Sequence, residues 1–180
     1  ITMRMAIAKS RNIPVIRVLQ AIGTRYAQDF IVRFGFTRSR QPAYLTLALG
    51  AGEVTVQQMF GGYSVFANGG YRVTPHLIKQ IVDSRGTVLF EANSPKAGNT
   101  AVRVIDARNA FLMNSMLQDV CRYGTAAKAG AALKRKDIAG KTGTTNDYYG
   151  AWFAGYTPEI VGGTWVGYDQ PKRLGRGATG

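Results

Sequence analysis

The sequence has one cysteine and one histidine in 180 residues, ten acidic side chains against 23 basic ones, and no run of 18 apolar residues. Each scarcity excludes something. A lone Cys121 cannot close an intrachain disulfide, and Cys121 with His76 falls short of the four ligands that a structural zinc requires. With His76 as the only imidazole, any Ser-His-Asp or Cys-His-Asn scheme would have to run through it. Its setting, Pro75 before and Leu77 and Ile78 after, reads instead as the approach to a strand. The thinly spread Asp and Glu leave no carboxylate pair for glycosidase-type acid and base work. No segment is long and apolar enough for a membrane-spanning helix, and none has the pattern of a signal peptide. The chain begins at Ile1 rather than at Met, so the expectation is an internal start, cut from a longer polypeptide.

What is present describes a folding chain with a lopsided surface. Hydrophobic residues make up 46% and charged residues 18%, enough to enclose one sizeable core and to argue against intrinsic disorder. The formal net charge of +13 admits three partners: nucleic acid, an anionic membrane or cell-wall surface, or an anionic small substrate. The basic residues are scattered, and the one dense run, Lys134 to Lys136, reads as a solvated loop.

The punctuation predicts a helical first part, a mixed middle and a β-rich end, an α+β chain with an antiparallel sheet flanked by helices. Thr2 to Lys9 is a short apolar-periodic helix. Asn12 is expected to cap a second helix, with Pro14 in its first turn and Val15, Val18, Leu19 and Ile22 on one face up to Gly23. Thr24 is expected to cap a third, through Tyr26, Ala27, Phe30, Ile31 and Phe34 to Gly35. Thr55 opens a helix through Met59, Tyr63 and Phe66 that stops at Asn68-Gly69-Gly70, and Asp106 opens a long one through Ala110, Met113, Leu117 and Val120 to Gly124. Residues 77–83 and 87–91 read as a hairpin around Ser84-Arg85-Gly86, residues 92–104 as a polar loop, and 138–144, 150–156 and 160–168 as three strands. The aromatic residues Trp152, Phe153, Tyr156, Trp165 and Tyr168 read as sheet packing, and Cys121 as a small buried residue.

Two short stretches could carry chemistry. Lys141-Thr142-Gly143-Thr144-Thr145 opens a strand whose glycine lets another backbone approach, while the Thr hydroxyls and the Lys141 ammonium could grip an anionic group. Alone, it is also compatible with an ordinary strand end. Ser10-x-Asn12 lies between two helices, where helix capping by itself accounts for the residue types.

Together they carry a resemblance. Ser-x-Asn followed 131 positions later by Lys-Thr-Gly is a pairing of penicillin-binding proteins and class A β-lactamases. The stretches AIAKSRNIPVIRVLQAIG, FGGYSVFANGGYRVTPHLI, NAFLMNSMLQDVCRYGTA and AGKTGTTNDYYGAWFAGYTPEIVGGTWVGYDQPKRLGR resemble a class A, bifunctional penicillin-binding protein of Gram-negative envelopes over nearly the whole chain. The resemblance implies a serine β-lactamase/transpeptidase-like fold and a peptidoglycan transpeptidase. In such an enzyme a serine attacks the D-Ala-D-Ala bond of a stem peptide, D-alanine leaves, and the acyl group passes to an amine on a neighbouring strand. β-Lactams acylate the same serine.

By the same resemblance Ser10 relays a proton to the leaving amine, Asn12 hydrogen-bonds the substrate amide and a general-base lysine, and Lys141 is a second cation in the site. The N–H of Thr144 is one of two oxyanion donors, and Thr142, Gly143 and Thr144 form the strand that holds the donor's terminal carboxylate. No cofactor or metal is implied. The implied partners are stem peptides, β-lactam antibiotics and, through an anchor elsewhere in the parent protein, the anionic periplasmic face of the inner membrane, with no nucleic acid. One departure stands out: none of the serines at 10, 39, 64, 84, 94 and 115 has Lys three positions later, so the Ser-x-x-Lys nucleophile motif is absent. Residues 1–180 are therefore expected to be the C-terminal part of a transpeptidase domain, incomplete and inactive alone, with a glycosyltransferase domain upstream in the parent. Two alternatives stand beside this. A serine β-lactamase would need a deacylating glutamate, and Glu53, Glu91 and Glu159 sit in no recognisable motif. A basic nucleic-acid module would need aromatics exposed beside Arg and Lys.

Overall fold

The computed structural model describes residues 1–93, 95–175 and 177–180; Ser94 of the 92–104 loop and Arg176 of the glycine-rich tail lie outside the described residues. The first helix, α1 (Met3–Ala8), is started by Thr2, whose hydroxyl accepts from the Met5 N–H at 3.3 Å. Helix α2 (Asn12–Ile22) begins one residue earlier than expected. Its N-cap position is Arg11, so Asn12 is the first helical residue and makes no capping bond. Pro14 still falls within the first turn, where a missing N–H costs nothing. Thr24 is likewise no cap: Gly23, at φ +92°, ends α2 and opens α3 (Thr24–Ile31) in a single residue.

A 3-10 turn (Val32–Phe34) stops at Gly35, and two more (Arg38–Arg40 and Leu45–Leu49) lead towards α4 (Val56–Ala67). There Thr55 and Gln58 satisfy each other's backbone N–H groups in a capping box. The strands β1 (Tyr71–Arg72), β2 (Gln80–Val82), β3 (Val88–Glu91) and β4 (Val102–Arg103) follow. The β2–β3 hairpin is as expected, though shorter. The loop 92–104 is not wholly loop: β4 pairs antiparallel with β1, a partner 31 residues upstream that no local pattern announces. Asp106 caps α5 (Ala107–Arg122), and α6 (Ala127–Leu133) fills a stretch for which the sequence predicts no element. Three longer strands, β5 (Ala139–Thr144), β6 (Gly150–Tyr156) and β7 (Val161–Gly167), form one antiparallel sheet in that order.

The core lies where α1, α4 and α5 cover this sheet. Val120, Cys121, Ala126 and Ile138 form one buried cluster with Ile7 and Phe153 against it, and Leu117, Ala139 and Tyr156 form another with Ile7, Tyr63 and Phe66. Ile7 belongs to both, so α1 is fastened to the sheet through α5. Polar contacts fix its register: the Arg4 guanidinium donates to Asp119 Oδ2 at 2.5 Å and to the carbonyl and hydroxyl of Ser115 at 3.2 and 3.1 Å. Asp119 is largely buried, and its hydrogen bonds to Arg4 and Tyr123 hold its carboxyl below the usual range against the opposing effect of burial. Among the described residues, no helix is long and apolar enough to cross a membrane.

Candidate active site

Among the described residues strand β5 pairs with β6 on one side only, and the end of α1 stands beside it. Lys141 Nζ donates to Ser10 Oγ at 2.9 Å and to the Thr142 carbonyl at 2.8 Å, joining two residues 131 apart in sequence. Burial lowers the Lys141 pKa from its ordinary 10.5. The Ser10 hydroxyl is thus held against a cation that gives up its proton more easily than a solvated lysine.

Ser10 is placed by backbone geometry that a serine adopts only under constraint. Its φ is +52°, in the left-handed region that costs a non-glycine residue about 1 kcal/mol or more. Two bonds hold it there, Ser10 N–H to the Ile7 carbonyl at 3.1 Å and Arg11 N–H to the Ala6 carbonyl at 2.8 Å. Beside it, Lys9 Nζ donates to the Tyr123 carbonyl at 2.5 Å, pinning the end of α1 to the end of α5.

The remaining residues of the strand divide by role. The Thr142 hydroxyl lies 2.6 Å from that of Thr125. At Gly143 a Cβ would come within 3.3 Å of Trp152 Cβ, so a side chain there would crowd the neighbouring strand. Thr144 ends β5, exposed, and its hydroxyl accepts from the Gly180 N–H at 3.2 Å, which lays the end of the tail against this strand. Asn12 stands at the start of α2, two residues from Ser10, and no hydrogen bond joins its side chain to Ser10 or Lys141 among the described residues. Ser10, Lys141 and Thr142 are therefore brought together, with Thr144 about 10 Å along the same strand.

Thr125 was not foreseen. It follows the glycine that closes α5, and a helix-stop glycine draws attention to itself rather than to the hydroxyl after it. The arrangement as a whole, a half-buried ammonium on a serine hydroxyl beside an open strand edge with threonine hydroxyls, suits proton relay and the binding of an anionic, extended ligand.

Comparison with known proteins bears on the family and the fold. The family model for the penicillin binding protein transpeptidase domain matches residues 1–172. Penicillin-binding protein 1A of Neisseria flavescens is 50% identical over 180 residues, all of this chain but 22% of that protein. Penicillin-binding protein 1A of Pseudomonas aeruginosa is 42% identical over 221 residues, covering 98% of this chain and 27% of that one. Among solved structures, penicillin-binding protein 1A from Haemophilus influenzae superposes with a TM-score of 0.93 at 36% identity, over 100% of this chain and 32% of that one. PonA1 from Mycobacterium tuberculosis gives 0.77 at 25% identity, over 95% of this chain and 50% of that one. The fold is thus that of these transpeptidase domains, present here in part, and the chain spans about a quarter of the length of the curated relatives it matches.

Proposed function

Because the chain belongs to the penicillin binding protein transpeptidase domain family, we propose that residues 1–180 are the C-terminal part of a longer peptidoglycan D-Ala-D-Ala transpeptidase domain and supply Ser10, Asn12, Lys141, Thr142 and Thr144 to its site, the nucleophile and its general base coming from elsewhere in the parent. The observation that carries this is the 2.9 Å bond from Lys141 Nζ to Ser10 Oγ. A serine nucleophile without an imidazole needs a lysine base, and a second cation nearby keeps that base neutral. Lys141 is the second cation.

The nucleophilic serine, contributed by the parent protein, adds to the carbonyl of the D-Ala-D-Ala peptide bond and loses its proton to the lysine base. Collapse of the tetrahedral intermediate breaks the C–N bond, and Ser10 hands a proton from the base to the departing D-alanine nitrogen. An amine from a neighbouring strand then attacks the acyl-enzyme and restores the serine. Asn12 holds the donor's amide, Thr144 N–H faces the oxyanion, and the hydroxyls of Thr142 and Thr144 take the terminal carboxylate. Losing one oxyanion donor costs about 10²–10³ in rate in comparable enzymes.

The parent acts on stem peptides at the periplasmic face of the inner membrane, is acylated by β-lactams, and carries a glycosyltransferase domain. The scattered positive charge suits an anionic lipid surface and an acidic polymer. Neither alternative, a serine β-lactamase or a nucleic-acid module, draws support from the relatives or from the site. The test is acylation of the full-length protein by a fluorescent penicillin. Lys141→Ala is expected to slow it by about 10²-fold or more, and the 180-residue chain alone is expected to remain unlabelled. Undiminished acylation of Lys141→Ala, or covalent labelling of the isolated chain, overturns the reading.

A further inference from the structure

The contacts around Ser10 close into a ring. Ser10 Oγ meets Lys141 Nζ at 2.9 Å, and Thr142, the next residue, meets Thr125 Oγ1 through its hydroxyl at 2.6 Å. The Thr125 N–H donates to the Ala8 carbonyl at 3.0 Å, two residues before Ser10. Thr125 is the corner of this ring that faces neither motif, and its position is set by close packing. At Gly124 a Cβ would lie 2.3 Å from the Ala8 carbonyl oxygen and 2.6 Å from Val120 Cα, so the chain passes α1 at backbone contact and delivers the next side chain to β5.

We propose that Thr125 is a positioning residue for anionic acyl donors, orienting the Thr142 hydroxyl so that its proton points to the donor's carboxylate. This rests on the transpeptidase reading above. Each threonine hydroxyl has one proton to give. When Thr125 donates to Thr142 Oγ1, the Thr142 proton is left for the ligand, and the donated bond polarises Thr142 and strengthens what it gives. Without Thr125 the Thr142 hydroxyl is free to rotate, and it must be reoriented each time a carboxylate arrives. No atom of Thr125 need touch the ligand.

The proposal separates from a purely structural role by the charge of the donor. In the full-length protein, the second-order acylation constant is measured with a penicillin and with its methyl ester, which keeps the reacting ring but lacks the anion. Thr125→Val, nearly isosteric, is expected to lower the constant for the acid by about 10-fold, the scale of one hydrogen bond bearing on a charged group, and that for the ester by less than about 2-fold. Thr125→Ser, which keeps the hydroxyl, is expected to stay within about 2-fold of the parent for both. Equal losses on acid and ester, or a loss in Thr125→Ser as large as in Thr125→Val, make Thr125 a packing residue and overturn the proposal, as does no loss on either. Failure of the unsubstituted protein to react with the acid at all is a distinct result: it removes the transpeptidase reading, and this inference with it.

Discussion

Two regions of the molecule bury their apolar residues very differently. In the site half, where α1 and α5 lie on β5 and β6, Val120 and Ala139 have no exposed surface and Leu117 and Tyr156 are nearly covered. In the helical half, residues 12–54, only Leu19 and Gln41 are buried, although the stretch is as rich in apolar side chains. Val15, Val18, Ile22, Ile31 and Leu47 instead line an open apolar cavity of about 380 Å³ between α2, α3 and the Leu45–Leu49 turn. The amphipathic patterns of the two halves are alike. What differs is whether a second layer meets the apolar face within these 180 residues. The Ser10–Lys141 contact is therefore held by the half that is closed, while Asn12 stands on an element with little burial of its own.

The sharpest way to break this comparison is to pry α1 from α5. Gly124→Ala places a methyl group against three backbone atoms that cannot yield as a side chain would. Overpacking of this kind costs about 1–3 kcal/mol, and the upper end is expected here. The same change should slow penicillin acylation of the full-length protein, because Ser10 and Thr125 both hang on that contact. Urea unfolding with parallel labelling tests it. A stable, fully reactive Gly124→Ala would mean that α1 holds Ser10 without α5.

A matched pair of truncations sharpens the contrast further. Leu117 and Leu19 are 4% and 6% exposed, nearly the same by that measure. Leu117 is surrounded by Ala139, Tyr156 and Ile7, whereas Leu19 borders the open cavity. Leu→Ala in a closed core costs about 2–5 kcal/mol because a cavity is left behind. At Leu19 a cavity already exists, so Leu19→Ala should cost less than about 2 kcal/mol and Leu117→Ala more than about 3. Equal losses would show that exposure alone governs both halves.

The closed half was also the more legible in the sequence. Its strands were evident from β-branched and aromatic residues between turns, and α5 from Asp106, its apolar face and Gly124. The paired motifs single out Ser10, Asn12, Lys141, Thr142, Gly143 and Thr144, and the structure brings Ser10, Lys141 and Thr142 together. Besides α6, three things were hidden for physical reasons. The β1–β4 pair depends on a contact between distant two-residue strands, too short for any periodicity. The caps of α2 and α3 were displaced by one residue because backbone conformation, the left-handed Ser10 and Gly23, decided the helix start ahead of side-chain chemistry. Thr125 matters by what α1 and β5 bring to it, and neither neighbour is near it in sequence.

Lys141 allows a smaller test through pH. Burial puts its pKa in the folded protein below the unfolded value of 10.5. Between the two values the unfolded chain binds more protons, so this group makes stability rise with pH across that window. Below the window the cost of burying the ammonium is present in full, and above 10.5 it is gone. Lys141→Met should remove that alkaline gain, seen as a flatter dependence of the urea midpoint on pH. On the transpeptidase reading, acylation moves oppositely: the rate falls as the ammonium is lost, with its alkaline limb below the ordinary lysine value. An alkaline limb unchanged in Lys141→Met would assign the limb to another group.

The smallest expected effect is a reaction that does not occur. Cys121 is buried between Val120, Ala126 and Ile138, and burial raises its thiol pKa to about 11. At pH 8 about one thiol in a thousand would be thiolate, the form that reacts, and reagent must still reach it. Iodoacetamide should therefore leave the native protein unmodified over hours and label it fully in urea. The rate between these limits measures how often the closed half opens. Were Cys121 modified as fast as a solvent-exposed thiol, the ring through Ser10, Lys141, Thr142 and Thr125 would be opening on the same timescale, and the closed half would hold the site no better than the open one.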